Sequence, residues 1–385
     1  MQACGDIIGR GRAAAVLALA AEVETPALIL DRTAFAANVA AFAAIAASTG
    51  VALRPHVKAH KSVRIARAQL DAGAIGLACA TLAEAETMAD AGLGPPLITG
   101  PVVGRHGYAR LCALGKRSPG LAVVIDAPQT IPDLSTMLAA VGTKLDVLVD
   151  LDVGTGRTGA TGIGGALGVA AAVRASPQLR LRGVQGYAGH IQHEPDWFRR
   201  RALCAAVADQ VKQTVAALRA DGHDIAIISG GGTGSAGIDM VLGCFTEIQA
   251  GSYVFSDVQY DAVALERPGD GPRRIANALY VLSQVVSVRD DGLVTLDGGT
   301  KTFGFDRQAP RVVAGAPAGS VWTVFGDEFA SLALAPGNPP MRPGDRVLFV
   351  VPHCDPTVAL HDRYHVVGRD GLEGTWPVDA RWRHR

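Results

Sequence analysis

The chain of 385 residues has no excess of either charge, because 36 Lys and Arg residues balance 36 Asp and Glu residues. This balance excludes an overall field that would attract nucleic acid or an anionic membrane surface, and it favours a small-molecule partner. The six cysteines are scattered without a CxxC pair, which excludes a disulfide scaffold and predicts a reducing, cytoplasmic location. No apolar run reaches the length of a membrane span, and no short repeat is present.

The N-terminus allows two interpretations. Arg10 and Arg12 precede the apolar run 13–21, which imitates a short signal peptide. Glu22 and Glu24 follow this run directly and favour a helix that leads into the first strand.

Short β-rich apolar runs alternate with alanine-rich helical patterns from about residue 50 to 255. This alternation is typical of repeated βα units around a parallel sheet, and eight units close an α/β barrel of the (β/α)8, or TIM, type. Helical segments end at glycines such as Gly73 and Gly92. The predicted strands are 52–58, 75–80, 96–100, 121–126, 145–152, 181–188, 225–230 and 246–252.

The remaining segments predict a second domain. The run 27–30 precedes the eight units, and we assign it to the other domain. After about residue 270 the chain changes to short alternating strands with Gly and Pro turns, which predict a C-terminal β-domain. Its clearest strands are 278–288, 321–324 and 346–351, and 266–274 is the predicted linker. The predicted division is residues 1–31 joining the β-domain, 32–265 for the barrel and 275–385 for the β-domain.

Lys58 stands at the end of the first predicted barrel strand, in the run R-P-H-V-K-A-H-K. Barrel enzymes place catalytic groups at this end. A partly desolvated lysine near His56, His60 and Lys61 is expected to have a lowered pKa and a free amine for Schiff-base formation. The alternative is a basic cluster on the surface of a loop.

Two loops could bind a phosphate. Residues 229–235, S-G-G-G-T-G-S, follow the seventh strand, and their glycines let backbone N–H groups approach an anion. Residues 251–253, G-S-Y, follow the eighth strand and could close the same site. The loops after the last two strands are the usual phosphate site of barrels. The alternative is a pair of ordinary turns.

Polar residues also follow the fifth and sixth strands. Arg157 could hydrogen-bond a cofactor ring nitrogen, or it could form a salt bridge with Asp152. Tyr187 could stack on a planar ring, and His190 or His193 could take a proton near neutral pH. The alternative for both histidines is a structural role.

His353, Cys354 and Asp355 follow an apolar strand of the C-terminal domain. If this segment is extended, His353 and Asp355 point the same way and could share one divalent ion, with Cys354 on the other side. An oxygen ligand favours a hard ion such as Mn²⁺ or Mg²⁺, with Zn²⁺ as the alternative.

In combination and in this order, these motifs resemble the D-threonine aldolase and D-serine dehydratase family over nearly the whole chain. That family has the alanine-racemase-like fold, which is fold type III of pyridoxal 5′-phosphate (PLP) enzymes. The resemblance rests on T-P-A-L-I-L-D at 25–31, R-P-H-V-K-A-H-K at 54–61, D-V-G-T-G-R at 152–157, the two glycine loops and P-H-C-D-P-T at 352–357.

The resemblance implies a role for each candidate. Lys58 is the Schiff-base lysine, Arg157 is the partner of the pyridine nitrogen, and Tyr187 is a neighbour of the cofactor ring. His353 and Asp355 are the metal ligands, and His193 is our candidate base. The expected phosphate contacts are Ser229, Gly231, Gly232, Thr233, Gly251, Ser252 and Tyr253.

The expected reaction is retro-aldol cleavage of a D-3-hydroxy amino acid, such as D-threonine, to glycine and an aldehyde. In this family dehydratases typically have a cysteine two residues after the metal histidine, whereas aldolases have an aspartate, so Asp355 favours aldolase. The alternatives are dehydration of D-serine or a D-3-hydroxyaspartate, and a non-catalytic PLP-binding protein, which would typically lack the β-domain. A homodimer is expected by analogy. Ala80, Ala188 and Phe329 depart from the aldolase pattern and bear on the substrate side chain.

Overall fold

Two β-sheets organise the chain, and the N-terminal segment belongs to the second of them. Helix α1 (Gln2–Leu19) leads into strand β1 (Ala27–Asp31). Val16 of the helix is buried in one cluster with Ile29 and Leu282 of that sheet. This computed structural model describes residues 2–271, 275–304, 308–317, 319–334 and 340–381.

Asp31 joins the first strand to the first long helix of the barrel. Its carboxylate accepts the N–H groups of Thr33 and Ala34 at the start of α2 (Arg32–Thr49), and it pairs with Arg12. The helix ends at Gly50, whose φ of 72° is left-handed and favours glycine.

Eight parallel strands form the first sheet, in the order β2-β9-β8-β7-β6-β5-β4-β3. A bridge between His56 and Ala78 closes the sheet into a barrel, with the N–H of Ala78 donating to the carbonyl of Pro55 at 2.9 Å. The strands are almost entirely buried, as expected for a sheet covered by helices. They are β2 (Ala52–Leu53), β3 (Leu77–Cys79), β4 (Pro96–Ile98), β5 (Ala122–Ile125), β6 (Leu145–Asp150), β7 (Leu179–Gly186), β8 (Ile227–Gly230) and β9 (Glu247–Ile248).

Helices connect these strands. The helices are α3 (Val63–Asp71), α4 (Leu82–Asp90), α5 (Gly104–Arg117), α6 (Ile131–Val141), α7 (Gly162–Arg174), α8 (Trp197–Ala220), α9 (Ala236–Asp239) and α10 (Val258–Asp261). Gly73 and Gly92 follow the C-terminal ends of α3 and α4, and both have a positive φ. This confirms the prediction that these helices end at glycines.

The second sheet contains nine strands in the described part of the chain. Its main order is β13-β14-β11-β10-β1-β16-β17, and β15 pairs with β10 and β12. Phe303 packs between Trp322 and Phe349 in its core. The elements are β10 (Leu279–Val288), β11 (Val294–Leu296), β12 (Arg311–Ala314), β13 (Val321–Val324), β14 (Ala330–Ala333), β15 (Arg346–Val350), α11 (Cys354–Leu360), β16 (Arg363–Val367) and β17 (Leu372–Pro377).

This architecture confirms the predicted barrel with a C-terminal β-domain, but several strands are shorter than predicted. The first barrel strand ends at Leu53 rather than at residue 58, and Val57–Ala59 forms a 3₁₀ turn. Pro55 has no N–H to continue a strand. Apolar residues beyond the strands, such as Val57, are buried because the loops at the barrel mouth are themselves packed.

The domain boundaries remain a prediction. Strand β1 pairs with β10 and β16 of the second sheet, on the side to which residues 1–31 are assigned. Residues 272–274 of the predicted linker and 382–385 of the predicted β-domain lie outside the described residues. Among the residues that are described, no helix is long and apolar enough to cross a membrane.

Candidate active site

Lys58 lies in the 3₁₀ turn that follows β2. The backbone N–H of Lys58 donates to Nδ1 of His56 at 3.3 Å. The other ring nitrogen of His56, Nε2, lies 3.1 Å from the Thr99 hydroxyl. That hydroxyl donates to the Cys79 carbonyl, so the ring nitrogen is the donor to Thr99. Burial, and secondarily the charge of Lys58, lowers the pKa of His56 well below its usual value. A neutral imidazole therefore fixes the turn that presents Lys58.

The cluster around Lys58 is not the surface cluster of the alternative interpretation. His60 is fully buried, and burial lowers its pKa to about 3. The ammonium of Lys61 is also buried and pairs with the Glu84 carboxylate, which accepts the N–H of Ala80 at 2.7 Å through its other oxygen. Of these basic side chains, Lys58 is the one with substantial exposure, at 39%.

Lys58 contacts Asp355, which lies 297 residues away in the C-terminal domain. Burial alone would lower the pKa of Lys58, but the Asp355 carboxylate and then Tyr187 outweigh it, and the pKa is raised. The expectation of a lowered lysine pKa is therefore wrong for this arrangement. The neighbouring histidines are neutral and Lys61 has its own carboxylate, so the nearby charge that acts most strongly on Lys58 is an anion.

Helix α11 carries the predicted metal pair, and the expected extended geometry is wrong. His353 is the extended N-cap residue, but Cys354 already begins the helix and Asp355 lies in its first turn. Burial would raise the pKa of Asp355, but Lys58 and then His353 lower it well below its usual range. Among the described residues, no group of three or more His, Cys, Asp or Glu side chains could hold a metal ion, so the candidate stays the predicted pair of His353 and Asp355.

Cys354 is fully buried beneath this pair. Its thiol donates to Asp355 Oδ1 at 3.3 Å, and its backbone N–H donates to Asp257 Oδ2 at 3.0 Å. Burial, followed by the charge of Asp355, raises the pKa of the thiol well above its usual value. Cys354 is therefore held as a neutral thiol.

Asp257 is a site residue that the sequence analysis missed. It is fully buried, accepts the N–H of Tyr260 at 2.9 Å through Oδ1, and holds the first turn of α11 through Oδ2. Burial raises its pKa to about 6, although the backbone hydrogen bonds oppose this shift. Asp257 thus links the segment after the eighth barrel strand to the helix of the metal pair. An isolated aspartate in a polar turn gives no signal in the sequence for such a role.

His193 lies near the metal pair. Its ring centroid is 6.4 Å from that of His353 and 4.8 Å from that of the buried Tyr260. His190 lies three residues earlier, in the 3₁₀ turn Gly189–Ile191, where its Nδ1 atom is 3.4 Å from the Thr155 hydroxyl. The structure therefore brings His193, rather than His190, next to the candidate metal ligands.

Arg157 and Tyr187 lie together. The guanidinium carbon is 5.8 Å from the centre of the tyrosine ring. Asp152 Oδ1, the partner in the alternative salt bridge, accepts instead the N–H groups of Gly154 and Gly156, at 3.0 and 3.1 Å. Those hydrogen bonds lower the pKa of Asp152. Arg157 is exposed and remains available to a ligand.

The two glycine loops are joined at the same end of the barrel. Thr233 Oγ1 accepts the backbone N–H of Tyr253 at 3.1 Å. Gly251 lies against the turn of Lys58, since a Cβ there would be 2.7 Å from the carbonyl oxygen of His56. Thr233 and Ser252 are almost fully buried. Gly231 and Gly232 lie between β8 and Thr233 in the first loop.

Two predicted phosphate contacts have side chains engaged elsewhere. The Ser229 hydroxyl donates to Glu247 at 2.7 Å and accepts from Gln249 at 2.8 Å in the barrel interior. The Tyr253 ring stacks on Phe42 with centroids 4.1 Å apart, and its hydroxyl accepts from Gln69 at 3.1 Å. The backbone N–H of Tyr253 is also engaged, with Thr233 Oγ1, and Ser229 lies within the paired strand β8.

The three departures from the aldolase pattern lie in different environments. Ala80 is half-buried beside Glu84, Ala188 is buried, and Phe329 is exposed. Of the three, Phe329 is the one whose side chain is exposed to solvent.

Comparison with known proteins places the whole chain among similar enzymes. A family model described as the alanine racemase N-terminal domain matches residues 30–258, and one described as a putative serine dehydratase domain matches residues 278–367. D-threonine aldolase of Arthrobacter sp. is 37% identical over 364 residues, covering 94% of this chain and 93% of that protein. A 3-hydroxy-D-aspartate aldolase of Paracoccus denitrificans (strain Pd 1222) is 34% identical, covering 94% of this chain and 92% of that protein.

A solved structure is similar over the same extent. The crystal structure of D-threonine aldolase from Filomicrobium marinum matches with a TM-score of 0.88 and 36% identity, covering 94% of this chain and 96% of that chain. The similarity includes both sheets and therefore both halves of the site.

Proposed function

Because the chain belongs to the D-threonine aldolase and D-serine dehydratase family, with its alanine-racemase-like fold, we propose that it cleaves a D-3-hydroxy amino acid to glycine and an aldehyde. The chain is a lyase, and the proposed cofactors are PLP and a divalent metal ion. The observation that carries the proposal is the contact between Lys58 of the barrel and Asp355 of the β-domain. It brings together an amine and the carboxylate that we propose as a metal ligand.

The residues fit PLP. Lys58 offers an amine on a partly exposed side chain, and the two joined glycine loops lie beside its turn. Arg157 lies over the ring of Tyr187 at the mouth of the barrel. The site thus combines an aromatic ring with a guanidinium that keeps its proton. Lys58 would hold PLP until the substrate amine replaces it, and the conjugated ring of the cofactor would supply a sink for the electrons of the substrate Cα–Cβ bond.

The other residues act on the β-hydroxyl. His353 and Asp355 would supply one nitrogen and one carboxylate for a divalent ion, which as a Lewis acid would make the hydroxyl more acidic. Two protein ligands leave positions for substrate and water. The proximity of His193 to His353 supports His193 as the base that accepts the hydroxyl proton. The carboxylate ligand favours Mn²⁺ or Mg²⁺ over Zn²⁺.

Asp355 favours an aldolase over a dehydratase. D-threo-3-hydroxyaspartate dehydratase of Delftia sp. is also similar, but its identity is 27%. A structure of a cysteine-to-alanine variant of that dehydratase is described as the metal-free form. In this chain Cys354 is fully buried, and Asp355 contacts Lys58. Dehydration of a D-3-hydroxy acid is the second candidate.

The cofactor anchor is tested by the absorbance of the Lys58-linked cofactor. Purified protein is expected to absorb near the visible edge, and Lys58→Ala is expected to lose this band. Lys144→Ala is the matched control because Lys144 is exposed outside the site. A band that survives Lys58→Ala would show that the anchor assignment is wrong.

The reaction is tested by incubating the enzyme with a panel of D-3-hydroxy acids. We expect glycine and an aldehyde, with turnover lost on chelation and restored by Mn²⁺ or Mg²⁺. A keto acid and ammonia without glycine would select the dehydratase, and full turnover after exhaustive chelation would remove the metal role.

We further propose that the protein is a cytoplasmic homodimer. The family resemblance supports a dimer, and free, buried cysteines such as Cys79 and Cys354 fit a reducing compartment. Sedimentation equilibrium at micromolar concentration is expected to give twice the chain mass of 39.7 kDa. A monomer under these conditions would contradict the proposal.

A further inference from the structure

Gln192 lies beneath the glycine-rich loop formed by residues 229–235. Its side chain is buried, and its Oε1 atom accepts the N–H groups of Gly234 at 3.0 Å and Ser235 at 3.3 Å. Its Nε2 atom donates to Ser235 Oγ at 2.9 Å and to the Ala188 carbonyl at 3.2 Å. One side chain thus makes four hydrogen bonds, three of them to the loop.

Gln192 determines, directly or through Ser235, which backbone N–H groups of the loop are already hydrogen-bonded within the protein. Ser235 Oγ, held by Gln192, accepts the N–H of Gly232 at 3.1 Å. Three backbone N–H groups of the loop are therefore committed to Gln192 or to the hydroxyl that it holds. Within the described part of the chain, the amide of Thr233, between them in sequence, has no protein acceptor.

Gln192 also explains two of the glycines. A Cβ at Gly232 would come within 2.5 Å of Gln192 Oε1, and a Cβ at Gly234 would come within 1.9 Å of the Gln192 carbonyl oxygen. Neither glycine has a positive φ, so the backbone conformation does not require glycine at either position. The requirement is close packing on Gln192.

We propose that Gln192 is a positioning residue that holds the glycine-rich loop in the shape that binds the cofactor phosphate. This inference rests on the proposed function, since it takes PLP as the ligand. Gln192 directly precedes His193, so the same residue connects the phosphate loop to the segment of the candidate base. A side chain that pre-forms an anion site raises affinity because the loop need not be ordered on binding.

The test compares PLP with pyridoxal, which lacks the phosphate. The affinities of the full-length chain, stripped of cofactor, are measured by absorbance and fluorescence titration. Gln192→Ala is expected to weaken PLP binding about 10- to 100-fold, as for the loss of two or three hydrogen bonds, and to change pyridoxal binding less than about 3-fold. Equal weakening of both ligands, or no weakening, would overturn the proposal, because a general structural role affects both.

A second variant guards against loss of folding. Gln192→Met keeps the side-chain volume and removes the hydrogen bonds. It is expected to show the same selective loss of PLP affinity with an unchanged far-UV circular dichroism spectrum. Wild-type affinity for PLP in a folded Gln192→Met variant would contradict the role of the hydrogen bonds.

The two glycines supply a matched pair of substitutions. Gly232→Ala meets the end of the Gln192 side chain, so its effect on PLP affinity is expected to shrink when combined with Gln192→Ala. Gly234→Ala meets the backbone carbonyl, which remains in Gln192→Ala, so its effect is expected to persist. Equal effects in both backgrounds for both glycines would contradict the proposed packing. If wild-type protein binds no PLP, the proposed function fails instead.

Discussion

Replacing Asp257 by asparagine is expected to weaken metal binding without removing either proposed ligand. The two oxygens of the Asp257 carboxylate accept one backbone N–H each, from Tyr260 at 2.9 Å and from Cys354 at 3.0 Å. Asparagine has one oxygen, so its NH₂ group would face one of these N–H groups. Asp257 is fully buried, and water cannot take over the lost hydrogen bond.

A buried donor left without its acceptor costs about 1–3 kcal/mol. If the first turn of α11 moves to relieve the unpaired N–H group, the positions of His353 and Asp355 change as well. A penalty of this size corresponds to about 5- to 150-fold in a binding constant. We expect the Kd of Asp257→Asn for Mn²⁺, measured by calorimetry on the purified protein, to rise by a factor in this range.

Asp345→Asn is the matched control for this substitution. Asp345 also accepts a backbone N–H, from Arg342 at 2.7 Å, but it is exposed in a turn away from α11. Its variant is expected to keep the wild-type Kd. A folded Asp257→Asn variant with wild-type metal affinity would refute the reasoning, because the helix would then hold its ligands without Asp257.

Three further substitutions test the folded structure. Glu247→Gln removes the carboxylate that lies 2.7 Å from the buried Arg54 guanidinium. This substitution is expected to lower the free energy of unfolding in urea by about 3–5 kcal/mol. A loss below about 1 kcal/mol would contradict the contribution of the buried pair. Phe303→Ala removes the central ring of the β-domain core and is expected to cost about 3–5 kcal/mol in the same assay. Burial raises the pKa of Asp239 to about 7, against an ordinary value of 3.8, so the folded protein keeps a proton that the unfolded chain releases. The stability from this group is therefore present at low pH and lost as the pH rises towards about 7. Asp239→Asn is expected to show a smaller fall in the free energy of unfolding between pH 5 and pH 8 than the wild type, and parallel pH profiles would contradict the shifted pKa.

The sequence predicted the barrel because its signals are local. Each strand and helix has its own pattern, and the order of the patterns is that of a closed parallel barrel. The strand ends were less predictable, since apolar residues such as Val57 and Ala250 are buried in the loops of the barrel mouth. Burial without strand pairing gives the same sequence pattern as a strand.

The electrostatics of the site could not be predicted in the same way. The basic neighbours of Lys58 in sequence predicted a lowered pKa, whereas Asp355 raises it from the other domain. The extended geometry expected for His353 and Asp355 was also wrong, because the chain enters a helix at Cys354. That helix is held by Asp257, which no motif includes.

The sequence by itself determined the chemical groups of this protein and their order along the chain. It predicted the lysine, the glycine loops and the His353–Asp355 pair, because each lies in a short motif of residues that are close together in the chain. Only the tertiary structure decided which of these groups meet. Lys58 and Asp355 are 297 residues apart, and the side chain of Gln192 accepts the N–H of Gly234, which is 42 residues away in sequence. Such contacts depend on how the two sheets and the barrel loops pack, and the charge state of a buried group depends on those neighbours rather than on adjacent residues.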